Sequence, residues 1–551
     1  MNYSILFEDP GLSLIERLLK VRSVEDDVEE FLNPTMKKYR ISPFKLADMN
    51  KAIDRIKQAL TKQEKIMIFG DYDVDGITSS FMLYTFFRKF LKYENISIMF
   101  PNRLEDGYGL KSFHLDEMKE KSVDLVITVD NGITSINEAL HAKEIGIDLV
   151  ITDHHKNLET IPEACAVVNP QVSPDYNFKG ICGAGVAFKL LNGYLEAENH
   201  DIEQRKKIFN YFLPVVAIAT VADCVPLVDE NRVMVKQGLK LLNQKSDIPE
   251  SLISFIDYLG IKDDINSFHI GYIIGPRINA GGRIVSPYKS LYTLLHTGEK
   301  QREHLDMIES INTERKKLQD QASKLAEKML CHDDFLLTAH SEEFHEGIIG
   351  IVSGRITEKN NKPSIVLSLC PEKGVAVASL RGPEYFSVID MLIAHGDLLE
   401  RYGGHKQAGG LTVKLENVDT LLNSMRTYCK NLLQELNLEK IMKIDTKLYP
   451  QEISSLTLDN LMKLEPFGQG NEEPLFFIEN ATILTVNKVG SRGNGHLKFQ
   501  FFYDGTEFQA MHRSKGGLLE NFQIGQKISL AGKLKKDTFN GGVFIDIQGI
   551  F

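Results

Sequence analysis

From Ile66 onward the chain alternates short apolar runs with stretches of helical period. Ile66-Met-Ile-Phe69, Leu125-Val-Ile-Thr-Val129 and Asp148-Leu-Val-Ile-Thr152 are brief and rich in branched side chains. Such runs, bounded by polar turns, predict buried strands. Thr78 to Leu91 and Ser135 to Glu144 follow two of them and read as helices, so strand, turn and helix repeat and a parallel sheet is expected. Tyr211 to Ala222 reads as a buried helix running into Asp223, although periodicity alone leaves other apolar elements open there. Upstream, Leu14, Ile15, Leu18 and Leu19 share one helical face. That stretch predicts an N-terminal helical cap, residues 1–60, on a first domain spanning 61–300.

Gln301 to Leu330 is polar, with Leu305, Ile308, Ile311, Leu318 and Leu325 at helical spacing, and predicts a connecting helix over 301–330. New strand-like runs follow (Phe335–Ala339, Ser364–Ser368, Val375–Ser379), giving a second, smaller α/β domain over 331–437. After a break near Asn437 to Met442, short strands are punctuated by turn signals at Gly490–Gly495, Asp504-Gly505 and Asn540–Gly542. They predict a small β-barrel over 441–551. The expected class is therefore α/β with a C-terminal barrel.

Composition narrows the function classes. No uninterrupted apolar run is long enough to span a bilayer, and the first ten residues lack a signal-peptide pattern. The six cysteines are scattered with no CxxC pair. This argues against a disulfide frame or a zinc knuckle and for a reducing cytoplasm. The net charge of -11 weighs against nucleic-acid binding, but acidic metal clusters inflate a negative total. Residues 481–551 carry nine Lys/Arg against five Asp/Glu, so that piece is net positive, and nucleic acid responds to local potential.

The chemistry sits at the strand ends. Asp71, Asp73 and Asp75 follow the first run, Asp130 the second, and Asp153-His154-His155 the third. In an open parallel sheet such groups gather in one crevice. Crowded carboxylates repel unless cations share them. Oxygen-rich ligands with one or two imidazoles suit Mn²⁺ or Mg²⁺ better than zinc, and two such ions imply metal-assisted attack on a phosphoester. Blander readings exist for each part. One Asp could cap a helix, Asp130-Asn-Gly132 could be only a turn, and the paired histidines could lie in a solvated loop. Asp223 alone carries no signal. Convergence of the whole set favours the metal site.

These motifs resemble the DHH phosphoesterase superfamily, and within it the RecJ family of single-strand-specific 5'→3' DNA exonucleases. Asp71-Tyr-Asp-Val-Asp-Gly76, Val129-Asp-Asn-Gly132, Asp153-His154-His155 and Ala222-Asp223 resemble its four motifs. The resemblance implies that Asp73, Asp75, Asp130, His154 and Asp223 hold the metals, with Asp71, Asp130 and His155 serving catalysis. Smaller relatives place a ligating His where this chain has Phe69. Pro101–Leu110, Gly275–Arg283 and Tyr402–Gly410 resemble segments of the nucleotide path, the last as a glycine-rich loop able to form an anion nest. Arg103, Arg277, Asn279, Arg283, Ser379, Arg381, Gly403, Gly404 and His405 are then phosphate- or DNA-binding, with arginines gripping a terminal 5' phosphate. The second domain resembles the DHH-associated domain. Leu464–Phe476 resembles the entry to an oligonucleotide-binding (OB) fold, whose Lys488, Arg492 and Lys498 would track a strand while Phe499, Phe501, Phe502 and Tyr503 offer rings, half of them facing inward. DNA repair and recombination, single-stranded DNA as substrate, and a helicase or single-strand-binding protein as partner follow by the same likeness. Two other readings remain: a phosphodiesterase for very short oligonucleotides or cyclic dinucleotides, and a non-catalytic DNA-binding scaffold.

Overall fold

The computed structural model describes the chain except for residues 1, 104, 158–159, 491–494 and 538–540. It divides into two compact units, residues 41–225 with 237–438, and residues 1–40 with 226–236 and 439–551.

The larger unit is built on five parallel strands: β1 (Ile66–Gly70), β2 (Ile96–Met99), β3 (Leu125–Val129), β4 (Asp148–Thr152) and β5 (Ala166–Val168), ordered β2-β1-β3-β4-β5. β1 and β3 are buried at every position, as expected of strands covered on both faces. The strand order reverses at β1, which puts the crevice of a doubly wound sheet beyond the carboxyl ends of β1 and β3. The helix after β1, α1 (Val74–Thr85), begins three residues after the first acidic position, closer than the pattern suggested, because Asp73 accepts the Gly76 amide at 3.1 Å and caps it. Helices α2 (Gly183–Ala197) and α3 (Ile202–Ala222) pack on α1. α3 carries Pro214 internally and still runs on to Asp223.

Helix α4 (Gly275–Ile284) lies against the long helix α5 (Gly298–Met329), which also packs on the second sheet. That sheet comprises β6 (Leu337–Ser341), β7 (Ser364–Cys370), β8 (Val375–Arg381), β9 (Arg401–Gly404) and β10 (Ala408–Lys414), ordered β9-β10-β8-β7-β6, with α6 (Ile349–Asn360) between β6 and β7. The sheet is antiparallel apart from β6 beside β7. The glycine-rich stretch expected as a loop is a β9–β10 hairpin. Gly403 pairs with Gly410 and Gly404 with Gly409, so these backbones serve a ladder and do not form an open nest.

The smaller unit holds a closed barrel: β11 (Phe476–Val489), β12 (His496–Tyr503), β13 (Thr506–His512), β14 (Lys527–Lys536) and β15 (Val543–Ile550), with β11 pairing both β12 and β14. Its core contains Phe499, Phe501 and Phe508 together with Leu14, Leu18 and Leu19. The N-terminal helix is therefore a cap on the barrel and not on the first domain. Arg17, almost wholly buried, fixes it by pairing with Glu452 at 2.7 Å. Residues 226–236, expected within the first domain, also belong here. The Leu227 amide donates to the Gln469 carbonyl at 2.7 Å, and Arg232 donates to Leu464 and stacks on Phe31.

Candidate metal centre and strand-binding residues

The loops after β1, β3 and β4 and the end of α3 bring their acidic and imidazole groups together. Three sets have ligand atoms within 4.8 Å of one another: Asp71, Asp73 and Asp130; Asp75, His154 and Asp223; and Asp130, His154 and His155. Asp130 and His154 each occur twice, so the sets form one continuous centre. His154 Nε2 lies 3.2 Å from Asp130 Oδ1, 3.7 Å from Asp223 Oδ2 and 3.8 Å from Asp75 Oδ2.

Local backbone chemistry sets this geometry. Asp130 adopts a left-handed conformation (φ +62°), which Asp tolerates better than most residues. Gly183 leaves room for it, since a Cβ there would lie 2.7 Å from Asp130 Cβ. Asp75 accepts the Gly183 and Ala184 amides at 2.6 and 2.7 Å, at the start of α2. The Asn131 side-chain amide donates to the Phe69 and Val129 carbonyls, tying the β1 and β3 ends together. Phe69 itself is fully buried in apolar core and offers no ligand.

Asp71, Asp75, Asp130 and Asp153 are at most 4% exposed. Burial, and then neighbouring carboxylates, push the Asp71 and Asp130 carboxyls well up, and Asp223 likewise. Asp75 is raised to about 6 by the same two causes, against its amide bonds. The two histidines diverge. Burial, helped by His155, holds His154 at about 3, so it is a neutral imidazole at pH 7. Burial also disfavours charge on His155, but Asp153 outweighs it and lifts the ring to about 9. Buried Asp71 Oδ1, Asp130 Oδ1 and His154 Nε2 have no hydrogen-bond partner. Unsatisfied carboxylate oxygens facing a neutral imidazole nitrogen fit hard divalent cations, whose ligands must be deprotonated.

Asp153 belongs to none of the three sets. Its Oδ2 accepts the Ile133 amide, and its Oδ1 accepts the His154 and His155 amides and lies 2.8 Å from His155 Nδ1. Tyr108 Oη is 3.1 Å from the same nitrogen and donates to the Asp130 carbonyl at 3.1 Å. Sequence reasoning assigned neither residue this orienting position. An Asp directly before two histidines is itself an Asx-turn signal that could have flagged the first. The His405 ring, from the β9–β10 hairpin, lies nearly parallel to that of His155, 6.0 Å away.

The expected phosphate residues divide. Arg381 donates to Ser379 Oγ at 2.9 Å. A Cβ on Gly350, in the first turn of α6, would sit 3.0 Å from its guanidinium, so a helix N-terminus opens toward these side chains, a favourable anion setting. Arg283 is held near 9 by burial and then by Arg103 and Arg315, and Arg381 is lowered by burial and then by Arg103. Arg103 stacks over Tyr72 and lines a cavity with Arg283. Arg277 does not join them: Glu309 takes its guanidinium in two contacts, at 2.6 and 3.1 Å. The Asn279 side chain accepts the Val74 amide at 3.1 Å and braces the first acidic loop.

On the barrel, Lys488 is exposed and Lys498 half-buried, while Arg492 lies outside the described residues. Of the four aromatics, Phe499 and Phe501 face the core and Phe502 is 43% exposed. Tyr503 is partly buried against that core. Lys533 and Lys535 both pair with Glu473.

Residues 65–220 match the DHH family, N-terminal domain, 333–431 the DHHA1 domain, and 444–548 the RecJ OB domain. The chain is 33% identical over 506 residues to the single-stranded-DNA-specific exonuclease RecJ of Bacillus subtilis, covering 90% of this chain and 62% of that protein. It is 31% identical to the Haemophilus influenzae RecJ, covering 88% of this chain and 86% of that one. The crystal structure of RecJ in complex with Mn²⁺ from Thermus thermophilus superposes with a TM-score of 0.81 at 25% identity, over 97% of this chain and 75% of that chain. With these three domain matches and relatives of this identity and coverage, the chain belongs to the RecJ family of the DHH phosphoesterases.

Proposed function

We propose that this chain is a metal-dependent exonuclease that hydrolyses single-stranded DNA from the 5' end and serves DNA repair and recombination. The observation that carries the reading is the continuous set of ligands sharing Asp130 and His154. Asp71, Asp73 and Asp130 would hold one divalent ion, Mn²⁺ or Mg²⁺, and Asp75, His154 and Asp223 the second. Bound there, such ions supply Lewis acidity toward the phosphate and a hydroxide nucleophile at neutral pH.

The chain's own residues do the rest. His155, kept protonated by Asp153, offers a charged N–H to a phosphate oxygen and so stabilises charge developing during attack. Tyr108 holds that ring against the Asp130 loop. Arg103, Arg283 and Arg381, with Ser379, grip the terminal 5' phosphate, and this grip sets the polarity. A guanidinium with few carboxylate partners is free for bidentate phosphate contact. The barrel, through Lys488, Arg492, Lys498 and Phe502, binds the single strand. A helicase that exposes single strands and a protein that coats them suit such an enzyme as partners, and the scattered, unpaired cysteines suit the cytoplasm.

The test is Asp130→Ala and His154→Ala, with strand binding and strand degradation assayed separately and folding checked by circular dichroism. Binding should persist while degradation disappears. Degradation that survives in a folded variant removes the site assignment.

A further inference from the structure

Two aromatic side chains outside the centre are more exposed than their size warrants. Phe268 is 58% and Tyr272 is 72% exposed, and their rings stack on each other with centroids 4.8 Å apart and planes 23° apart. They begin the helical run that leads into α4: Ser267–His269 is α-helical and Ile270–Ile274 is a π-helical turn, an irregularity frequent at functional sites.

That run passes along the centre. A Cβ on Gly275 would lie 3.4 Å from Ala222, the neighbour of Asp223, and 4.0 Å from Val74, the neighbour of Asp73 and Asp75. Asn279 bonds the Val74 amide. At the far end Arg283 lines a cavity with Arg103 and donates to the Gly347 carbonyl at 3.3 Å. One helical run thus meets, in order, the aromatic pair, the metal ligands and the arginines. From Arg283 back to Tyr272 is about 16 Å at the helical rise per residue. That corresponds to roughly five nucleotides at about 3.4 Å each when stacked, and to roughly three when extended.

We propose that Phe268 and Tyr272 form a base-stacking platform for the strand a few nucleotides 3' of its terminal phosphate. This rests on the proposed function. If the phosphate is held at the arginine end and cut at the metals, the uncut strand continues toward the aromatic end. A base is favoured as occupant over a protein partner because the pair presents flat ring faces with no exposed aliphatic side chain beside them in this helical run. Open space also surrounds Gly271 between them. Every base has a face that can stack on such a surface.

The test compares wild type, Tyr272→Phe and the double variant Phe268→Leu with Tyr272→Leu, which keeps apolar bulk and removes the ring faces. The substrates are a 5'-phosphorylated strand of about twelve nucleotides and a 5'-phosphorylated dinucleotide. In the double variant KM for the long strand should rise about tenfold, from the loss of one stacked base. Its kcat, its salt dependence and dinucleotide cleavage should stay unchanged, and Tyr272→Phe should behave as wild type. A 2-aminopurine placed third to fifth from the 5' end should be quenched on binding to wild type in EDTA and not on binding to the double variant. Unchanged long-strand KM and quenching would overturn the platform and leave the pair to a protein partner. Equal loss on the dinucleotide would overturn it as general damage. The quenching readout is independent of cleavage, so a wild-type chain that stacks the probe but cuts nothing would count against the proposed function and for the platform.

Discussion

His155 Nδ1 lies 2.8 Å from Asp153 Oδ1, and this contact charges one of two adjacent imidazoles while burial keeps the other neutral. His154 stays neutral with its Nε2 turned to the carboxylates, while His155 is held protonated beside them. Burial therefore makes a ligand of one histidine, and Asp153 makes a phosphate-binding cation of its neighbour. Asp153→Asn keeps the size and one acceptor oxygen but removes the charge and the second acceptor. Degradation should fall about 10–100-fold, the usual cost of losing an orienting partner. The His155 ring, followed by NMR, should titrate well below about 9. An unchanged titration would refute the clamp.

The metal-free centre should be sensitive to pH. His155 is raised above its unfolded value of 6.5, so its stabilisation is complete below 6.5 and is lost as pH climbs through about 9. Asp75 is raised to about 6, and Asp71, Asp130 and Asp223 are raised further than their usual range. Above these values they become a cluster of mutually repelling charges in the native state. Both effects have the same sign, so in EDTA Tm should fall between pH 6.5 and 8. Mn²⁺ should restore it, more at pH 8 than at 6.5, because ligation needs the deprotonated groups. Calorimetry in buffers of different ionisation enthalpy should show protons released on metal binding. A flat Tm and no proton release would contradict these charge states.

Two of the arginines expected to grip phosphate should behave differently. Arg381→Ala should weaken the preference for a 5'-phosphorylated end more than it slows cleavage at saturating substrate. Arg277, already bonded twice to Glu309, should leave that preference nearly unchanged when replaced by Ala, and should cost stability instead. Competition between phosphorylated and unphosphorylated strands measures both, and equal effects would reverse the distinction.

Glu473 neutralises Lys533 and Lys535 on the barrel. Glu473→Gln should free both for phosphate. Strand affinity should increase, and the slope of log K against log salt should steepen by about one per added contact. Lys488→Ala should shift the slope the other way. A slope unaffected by Glu473→Gln would mean that this face of the barrel does not meet the strand.

Local pattern was enough wherever the determinant is contiguous. The buried strands β1, β3 and β4 are legible from their apolar runs, and the acidic and imidazole motifs sit where each run ends. An α/β fold with a crevice at those ends follows from sheet geometry alone. The barrel is legible from short strands and turns, and alternation already placed half of its aromatics inside. Asp223 had no signal of its own. Only the course of α3, through Pro214, carries it to within 3.7 Å of His154.

What the tertiary structure decided is partnership between distant positions. The apolar stripe of Leu14, Leu18 and Leu19 requires burial but does not name the surface that buries it, and the fold chose the barrel. Arg277 and Arg283 read alike six residues apart, until Glu309 claims one and the other lines a cavity with Arg103. Gly403 and Gly404 read as a loop because glycine permits one, yet pairing with Gly410 and Gly409 made a hairpin. The physical reason is common to all three: periodicity and propensity are short-range properties, whereas which charge meets which, and which face meets which core, depends on contacts that exist only once the chain has closed.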